Sequence, residues 1–257
     1  MTTPPIVLSL ALAVAPAAPG AVPPPAETAR TVEVDRFDTV GELFEWTTDY
    51  YRAPSPERLA DAVEFLHERR VFDERPDAYW PLTMFFGGAY ATNEAAAIEA
   101  MDQALESDDP YLQTFVISSL WAGSAAHCRE QIRRAEGRFD HERMTGLVEW
   151  VQENDAFLES GEPVTESVHL DMLWGRFGAT GEARAVNLVI DALGGYAFND
   201  ERLALAGTAQ WSLEAQARRH PLVLRAARER LASEPDATIR DALAEVIENV
   251  GDDPPAR

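Results

Sequence analysis

Two pairs with the pattern Glu-x-x-His, Glu64 with His67 and Glu166 with His169, have a spacing that suits a defined chemistry. Three residues apart on a helix, a carboxylate and an imidazole share one face. Carboxylate-bridged di-metal bundles use two such pairs together with two further Glu. The surroundings argue the other way. Five His in a Glu-rich chain make such pairs common by chance. Glu64 belongs to a solvated stripe with Glu57, Asp61 and Glu68. Glu166 opens a helix, where the macrodipole favours a carboxylate in any case. The expectation is no metal and no cofactor.

A second set lies in Leu170 to Ala183, LDMLWGRFGATGEA. Asp171 and Arg176 punctuate an otherwise apolar helix, and a buried charge needs a partner. With His169, Trp174 and Trp211 they are the candidate binding residues. The competing reading sends both charges to solvent at the rim, or pairs them with neighbouring helices. No catalytic residue is assigned. The chain has no Gly-x-Ser-x-Gly elbow, no His-Glu-x-x-His helix and no Lys-bearing phosphate loop. It has no Lys at all, which excludes Schiff-base chemistry. Ser118 and Ser119 read as small residues at a helix contact, and the single Cys128 as a small core residue. Six Trp, at 46, 80, 121, 150, 174 and 211, read as core layers, the alternative being an exposed aromatic ladder. Arg218, Arg219, Arg225, Arg228 and Arg230 concentrate positive charge, which i, i+4 pairing with Glu214 and Glu229 accounts for.

The 257 residues are 46% hydrophobic and carry a net charge of −22, with a pI near 4.5. Such a chain is repelled by nucleic acid and by anionic membrane surfaces. Replacement of Lys by Arg fits a high-GC genome, and the carboxylate excess fits adaptation to high salt. One Cys allows no intrachain disulfide. Residues 1–17 read as a secretory signal peptide: Ile6 to Ala15 is apolar but too short to span a bilayer, and Ala15-Pro16-Ala17 is a small-x-small site. Its n-region lacks a basic side chain, so a plain Ala/Pro tail is the competing reading. Residues 18–34 form an Ala/Pro-rich linker, 35–251 one helical domain and 252–257 a disordered tail.

Helical periodicity must position the candidates. Leu59, Ala62, Val63 and Leu66 make an i, i+3, i+4, i+7 stripe. Ser55-Pro56, Asp109-Pro110 and Glu234-Pro235 look like caps followed by Pro at the first helical position. Four units each pair an aromatic-bearing helix with a shorter amphipathic one. They begin near Tyr79, Tyr111, Val168 and Arg202. The offsets, 32 residues from Tyr79 to Tyr111 and 37 from Trp174 to Trp211, approach those of helix-pair repeats. In the stretch from Leu170, Gly178 and Gly181 supply the reversal of a helical hairpin.

The segments LDMLWGRFGATG and QWSLEAQARRHP resemble motifs of a group of exported, all-helical bacterial proteins, over roughly the last 100 residues. The general architecture resembles HEAT- and TPR-type αα repeats, without matching either consensus. The resemblance implies an all-α fold and export, and no catalytic residue. The fold expected is an αα-hairpin array of the HEAT/TPR kind. The function expected is a non-enzymatic scaffold for a protein or peptide partner. The alternative is an enzyme or small-ligand-binding protein with a polar pocket around His169, Asp171 and Arg176.

Overall fold

The computed structural model describes residues 36–139 and 141–251. The signal peptide, the linker and the tail therefore lie outside the described residues. Among those described, every regular element is helical and no strand occurs. The elements are α1 (Val40–Asp49), α2 (Leu59–Glu68), α3 (Val71–Glu74), α4 (Tyr79–Thr92), α5 (Glu94–Glu106), α6 (Pro110–Gly123) and α7 (Ala126–Arg134). There follow α8 (Glu142–Glu153), α9 (Phe157–Ser160), α10 (Ser167–Thr180), α11 (Ala183–Asp191), α12 (Glu201–Arg219), α13 (Pro221–Ser233) and α14 (Ala237–Val250). Short 3-10 turns cover Tyr50–Arg52, Pro56–Arg58, Pro76–Ala78 and Ala192–Ala197.

The four expected helix pairs are α4 with α5, α6 with α7, α10 with α11 and α12 with α13, each packed as neighbours. Their stacking does not follow chain order. α4 lies between α6 on one side and α10 on the other, about 90 residues later in the chain. In a simple solenoid each unit touches only its neighbours. Here one core runs from Phe37 to Val151, and a second covers Phe157 to Val246. They meet where Met84 of α4 and Ala122 of α6 join the second, and Ala179 of α10 joins the first.

Composition explains why α4 can be central. Leu82 through Tyr90 are all buried, so this helix has no wet face, as an all-round apolar helix requires. Small residues then let its neighbours close in. A Cβ at Gly175 of α10 would fall 2.1 Å from the Pro81 carbonyl oxygen of α4. One at Gly178 would fall 2.6 Å from that of Thr47 in α1. Gly178 therefore sits buried inside α10 and makes no turn, which corrects the hairpin role expected for it. The reversal belongs to Gly181 alone, at φ 67°, with its N–H bonded to the Phe177 carbonyl.

Two further sequence readings need correction. Asp109 does cap α6, accepting from the Tyr111 N–H at 2.6 Å ahead of Pro110. Ser55 caps nothing; its Oγ accepts from Trp46 Nε1 at 2.8 Å, and Pro56 opens only a 3-10 turn. The cap of α14 is Asp236, one residue past Pro235, accepting from the N–H groups of Thr238 and Ile239. The tryptophans are not all core layers either. Trp46, Trp121 and Trp174 are half-buried, whereas Trp80, Trp150 and Trp211 are exposed, Trp211 at 71%. Ser119 and Cys128 are fully buried, as read from sequence, and burial pushes the Cys128 thiol up to about 11.

Candidate functional site

Along α10, Asp171, Trp174, Gly175 and Gly178 recur at i, i+3, i+4, i+7 and form one wall of a cleft of about 310 Å³. The opposite walls are Phe44, Thr47 and Thr48 of α1, Pro81, Leu82 and Phe85 of α4, and Gln216 with His220 at the end of α12. Arg75 and Asp77, just before α4, stand at the same opening. The two glycines explain how three helices approach closely enough to enclose this space.

His220 is fully buried. It joins α12 to α13, and Pro221 restricts it to extended backbone, here φ −119° and ψ 105°. Its Nδ1 lies 3.1 Å from Tyr51 Oη and 3.3 Å from Arg52 Nη2. A guanidinium only donates, so Nδ1 accepts and the proton of the neutral ring sits on Nε2. The ring is neutral because burial pushes its pKa down to about 4. Arg52 and Arg219 push the same way, against Asp49. The Nε2 atom is buried and has no hydrogen-bond partner. Tyr51, Arg52 and Asp49 do not line the cleft, so the ring edge that does is the one away from Nδ1.

Trp174 repeats this situation. Its Nε1 is buried without a partner. Its ring stands edge-on to Phe177, centroids 6.0 Å apart, and Phe177 meets His220 edge-on at 5.4 Å. Three aromatic rings thus form the floor, carrying two unused N–H donors. A buried donor without an acceptor costs about 1–3 kcal/mol, and such groups are rare in folded proteins. At the opening, Asp77 is held by Arg75 through contacts of 3.2 and 3.0 Å. Asp171 has no such cation; partial burial and then the Asp77 charge raise its carboxyl above the usual range.

α10 distributes the sequence candidates among different surroundings. Asp171 and Trp174 share the cleft. His169 turns elsewhere: it stacks on Phe157 at 4.6 Å, and its Nδ1 accepts from the Thr165 N–H at 3.3 Å. Arg176 is 12% exposed, 3.7 Å from Glu182 and packed against Gly88, with Nε and Nη1 unpartnered. Trp211 lines neither this cleft nor the next. Among the metal-spacing residues, Glu64 lies 3.9 Å from Arg36 and His67 3.2 Å from Asp109, while Glu166 is the residue at which α10 begins. Among the described residues no three His, Cys, Asp or Glu are grouped to hold a metal ion.

His169 helps line a second cleft of about 360 Å³, with Trp80, Trp121, Trp150, Asp155, Phe157 and Glu162. Trp121 and Trp150 pack at 5.3 Å, and Trp121 Nε1 donates to the Asn154 carbonyl at 2.8 Å. Trp80 and Trp150 are 41% and 49% exposed. The largest cavity, about 720 Å³ between α2, α3 and α6, has its charges matched internally, His67 to Asp109 and Arg70 to Asp73. The arginine run is likewise engaged: Arg218 with Glu214, Arg219 with Asp49, Arg225 with Glu229, and Arg230 with Asp191 and Glu234.

His220 is the residue that sequence reasoning missed. The available signal was its place before Pro221 at a helix junction, where a side chain is fixed in direction. The two motif segments quoted from the sequence meet here, LDMLWGRFGATG through Asp171, Trp174 and Phe177, QWSLEAQARRHP through Gln216 and His220. Compared with protein-family models, with curated proteins and with solved structures, the chain finds no match.

Proposed function

We propose that this chain is a non-enzymatic binding scaffold, two HEAT/TPR-like sets of helical hairpins joined through α4 and α10, and that it binds a protein or peptide partner. The observation that carries this reading is the cleft of Trp80, Trp121 and Trp150, where two large rings face solvent beside Asp155 and Glu162. Exposed Trp clusters are rare on surfaces with nothing to bind, and Trp is enriched among residues that dominate binding energy. Carboxylates beside an indole face suit an Arg or Lys side chain through cation–π contact and charge. A net charge of −22 steers the same kind of partner inward. The partner segment is therefore basic. Among the described residues no helix is long and apolar enough to cross a membrane. Export follows from the signal-peptide reading, and N-terminal sequencing of the protein from its native source is expected to begin at Ala18.

The test is titration of a basic decapeptide, and of an acidic one of equal length, into the full chain. The basic peptide is expected to bind. Trp150→Ala is expected to weaken it by ~2 kcal/mol, the scale of an interface hot spot, whereas Trp211→Ala, exposed outside the cleft, leaves it unchanged. Equal loss in both variants would reduce the attraction to unspecific charge and end the proposal. A single pocket made jointly by His169, Asp171 and Arg176 receives less support, because α10 directs the three to different surroundings.

A further inference from the structure

Beyond the partner surface, the cleft between α1, α4, α10 and α12 has the composition of a separate, small-molecule site. Its volume of about 310 Å³ lies at the lower end of small-ligand pockets. Its floor is apolar and aromatic, with Phe85, Phe177 and Trp174. Two donors on that floor, Trp174 Nε1–H and His220 Nε2–H, are buried without acceptors. Both belong to neutral groups, so they select oxygen acceptors without demanding a negative charge. The fold supplies no reason for leaving both bare; the helices that carry them are otherwise well bonded, and Trp121, by contrast, satisfies its N–H from the Asn154 carbonyl.

The opening has the opposite character. Asp171 faces the cleft with no cation bonded to it, and Asp77 stands near enough to raise its carboxyl further. Arg75 is engaged by both oxygens of Asp77 and offers little to an anion. A carboxylate or phosphate ligand would meet an uncompensated Asp171. A positive group would relieve it.

We propose that this cleft binds a small organic cation carrying carbonyl or amide oxygens, such as the amino end of a short peptide. The oxygens accept from Trp174 Nε1–H and His220 Nε2–H, and the ammonium lies against Asp171. Gly175 and Gly178 line the cleft without side chains, leaving room for the ligand backbone.

Three matched probes test this: glycylglycinamide, which is cationic, N-acetylglycinamide, which is neutral, and N-acetylglycine, which is anionic. The readout is the Trp174 indole N–H resonance of the full chain, assigned by its disappearance in Trp174→Phe. Glycylglycinamide is expected to move it downfield saturably. N-acetylglycinamide is expected to bind about fivefold more weakly, the scale of one partly exposed ion pair, and N-acetylglycine more weakly still. Asp171→Asn is expected to equalise the first two probes. This variant changes a solvent-reaching side chain, so folding is not at issue. Trp174→Phe keeps a ring against Phe177 and is expected to weaken all three probes about fivefold, followed at the Gly178 amide. An indole resonance that no probe moves would show that water alone fills the cleft and would overturn the proposal. So would N-acetylglycine binding as tightly as glycylglycinamide, or a charge preference that survives Asp171→Asn. Trp150→Ala leaves every one of these readings in place, so failure here and failure of the scaffold proposal are distinguishable.

Discussion

The two clefts beside α10 use the same residue types to opposite effect. In the Trp80/Trp121/Trp150 cleft the indole faces meet water, while the one half-buried indole N–H there is bonded within the protein. In the Trp174/His220 cleft the rings are covered and the N–H donors are left over. The first surface offers apolar area and charge, which suit a large, loosely specified partner. The second offers directional donors in a confined volume, which suit a small, well-specified one. Aromatic content alone does not distinguish the two; the fate of the polar edge of each ring does.

The sharpest way to break the comparison is through the helices that build each wall. Gly175→Ala would place a methyl 2.1 Å from the Pro81 carbonyl, against backbone that cannot turn aside. Forced separation of α10 from α4 is expected to cost about 3 kcal/mol or more, at the upper end for overpacking, and to open the Trp174/His220 cleft. Gly146→Ala in α8, which carries Trp150, meets nothing within 4 Å. It is expected to stabilise by up to about 1 kcal/mol through helix propensity. Chemical denaturation of the two variants checks both signs.

The next effect is on pH. His220 has a folded pKa of about 4, below the ordinary 6.5. Between those values the unfolded chain binds the proton and the folded chain does not, so stability is fully present above pH 6.5 and is lost as the pH falls toward 4. Tyr51, Arg52, Asp49 and Arg219 are the polar and charged groups around the ring. Allowing for screening by this partly exposed set, the loss is on the order of 2 kcal/mol. His220→Phe is expected to flatten the stability profile over that window. Below it, Asp49 continues the decline, because its own carboxyl is held low by Arg219 and Arg52 despite partial burial. The Trp80/Trp121/Trp150 cleft contributes no comparable dependence, and the pH profile of Trp150→Ala is expected to parallel that of the unsubstituted chain.

Sequence periodicity was sufficient for the helices and for the buried stripe of α2, because those follow from local patterns that burial then confirms. The helix pairs were legible for the same reason. The order in which they stack was not. It depends on α4 accepting α10 on its second face, and nothing local to Tyr79–Thr92 says which later helix will cover an all-apolar surface. Gly178 was misread because one glycine near a helix end serves a turn or a close contact equally well; the carbonyl of Thr47, distant in sequence, decides it. Asp171 and Trp174 were found as polar interruptions of an apolar helix. His220 was not, because its importance comes from Tyr51 and Arg52, some 170 residues away. Trp80, Trp150 and Trp211 show the converse: their type suggests burial, and only the neighbours that fail to cover them reveal otherwise.

The smallest expected effect is the most informative about what Asp171 is for. Its folded carboxyl is raised, first by partial desolvation and then by Asp77, so the ionised form is disfavoured in the folded chain. The sign is opposite to that of Asp49. Stability tied to Asp171 is lost as the pH rises through its folded pKa, and the neutral residue Asn avoids that loss. Asp171→Asn is therefore expected to raise stability at pH 7 by a few tenths of a kcal/mol, the scale of a partly exposed charge interaction. The gain is expected to vanish below the ordinary carboxylate range, where both folded and unfolded chains carry the proton. Thermal unfolding of the variant at pH 7 and at pH 3 checks this. A gain at pH 7 that accompanies weaker binding of glycylglycinamide would show a charge kept at a cost to the fold and for the sake of the cleft. A loss of stability at pH 7 would mean that Asp171 serves the fold itself, and the contrast between the two clefts would then rest on Trp174 and His220 alone.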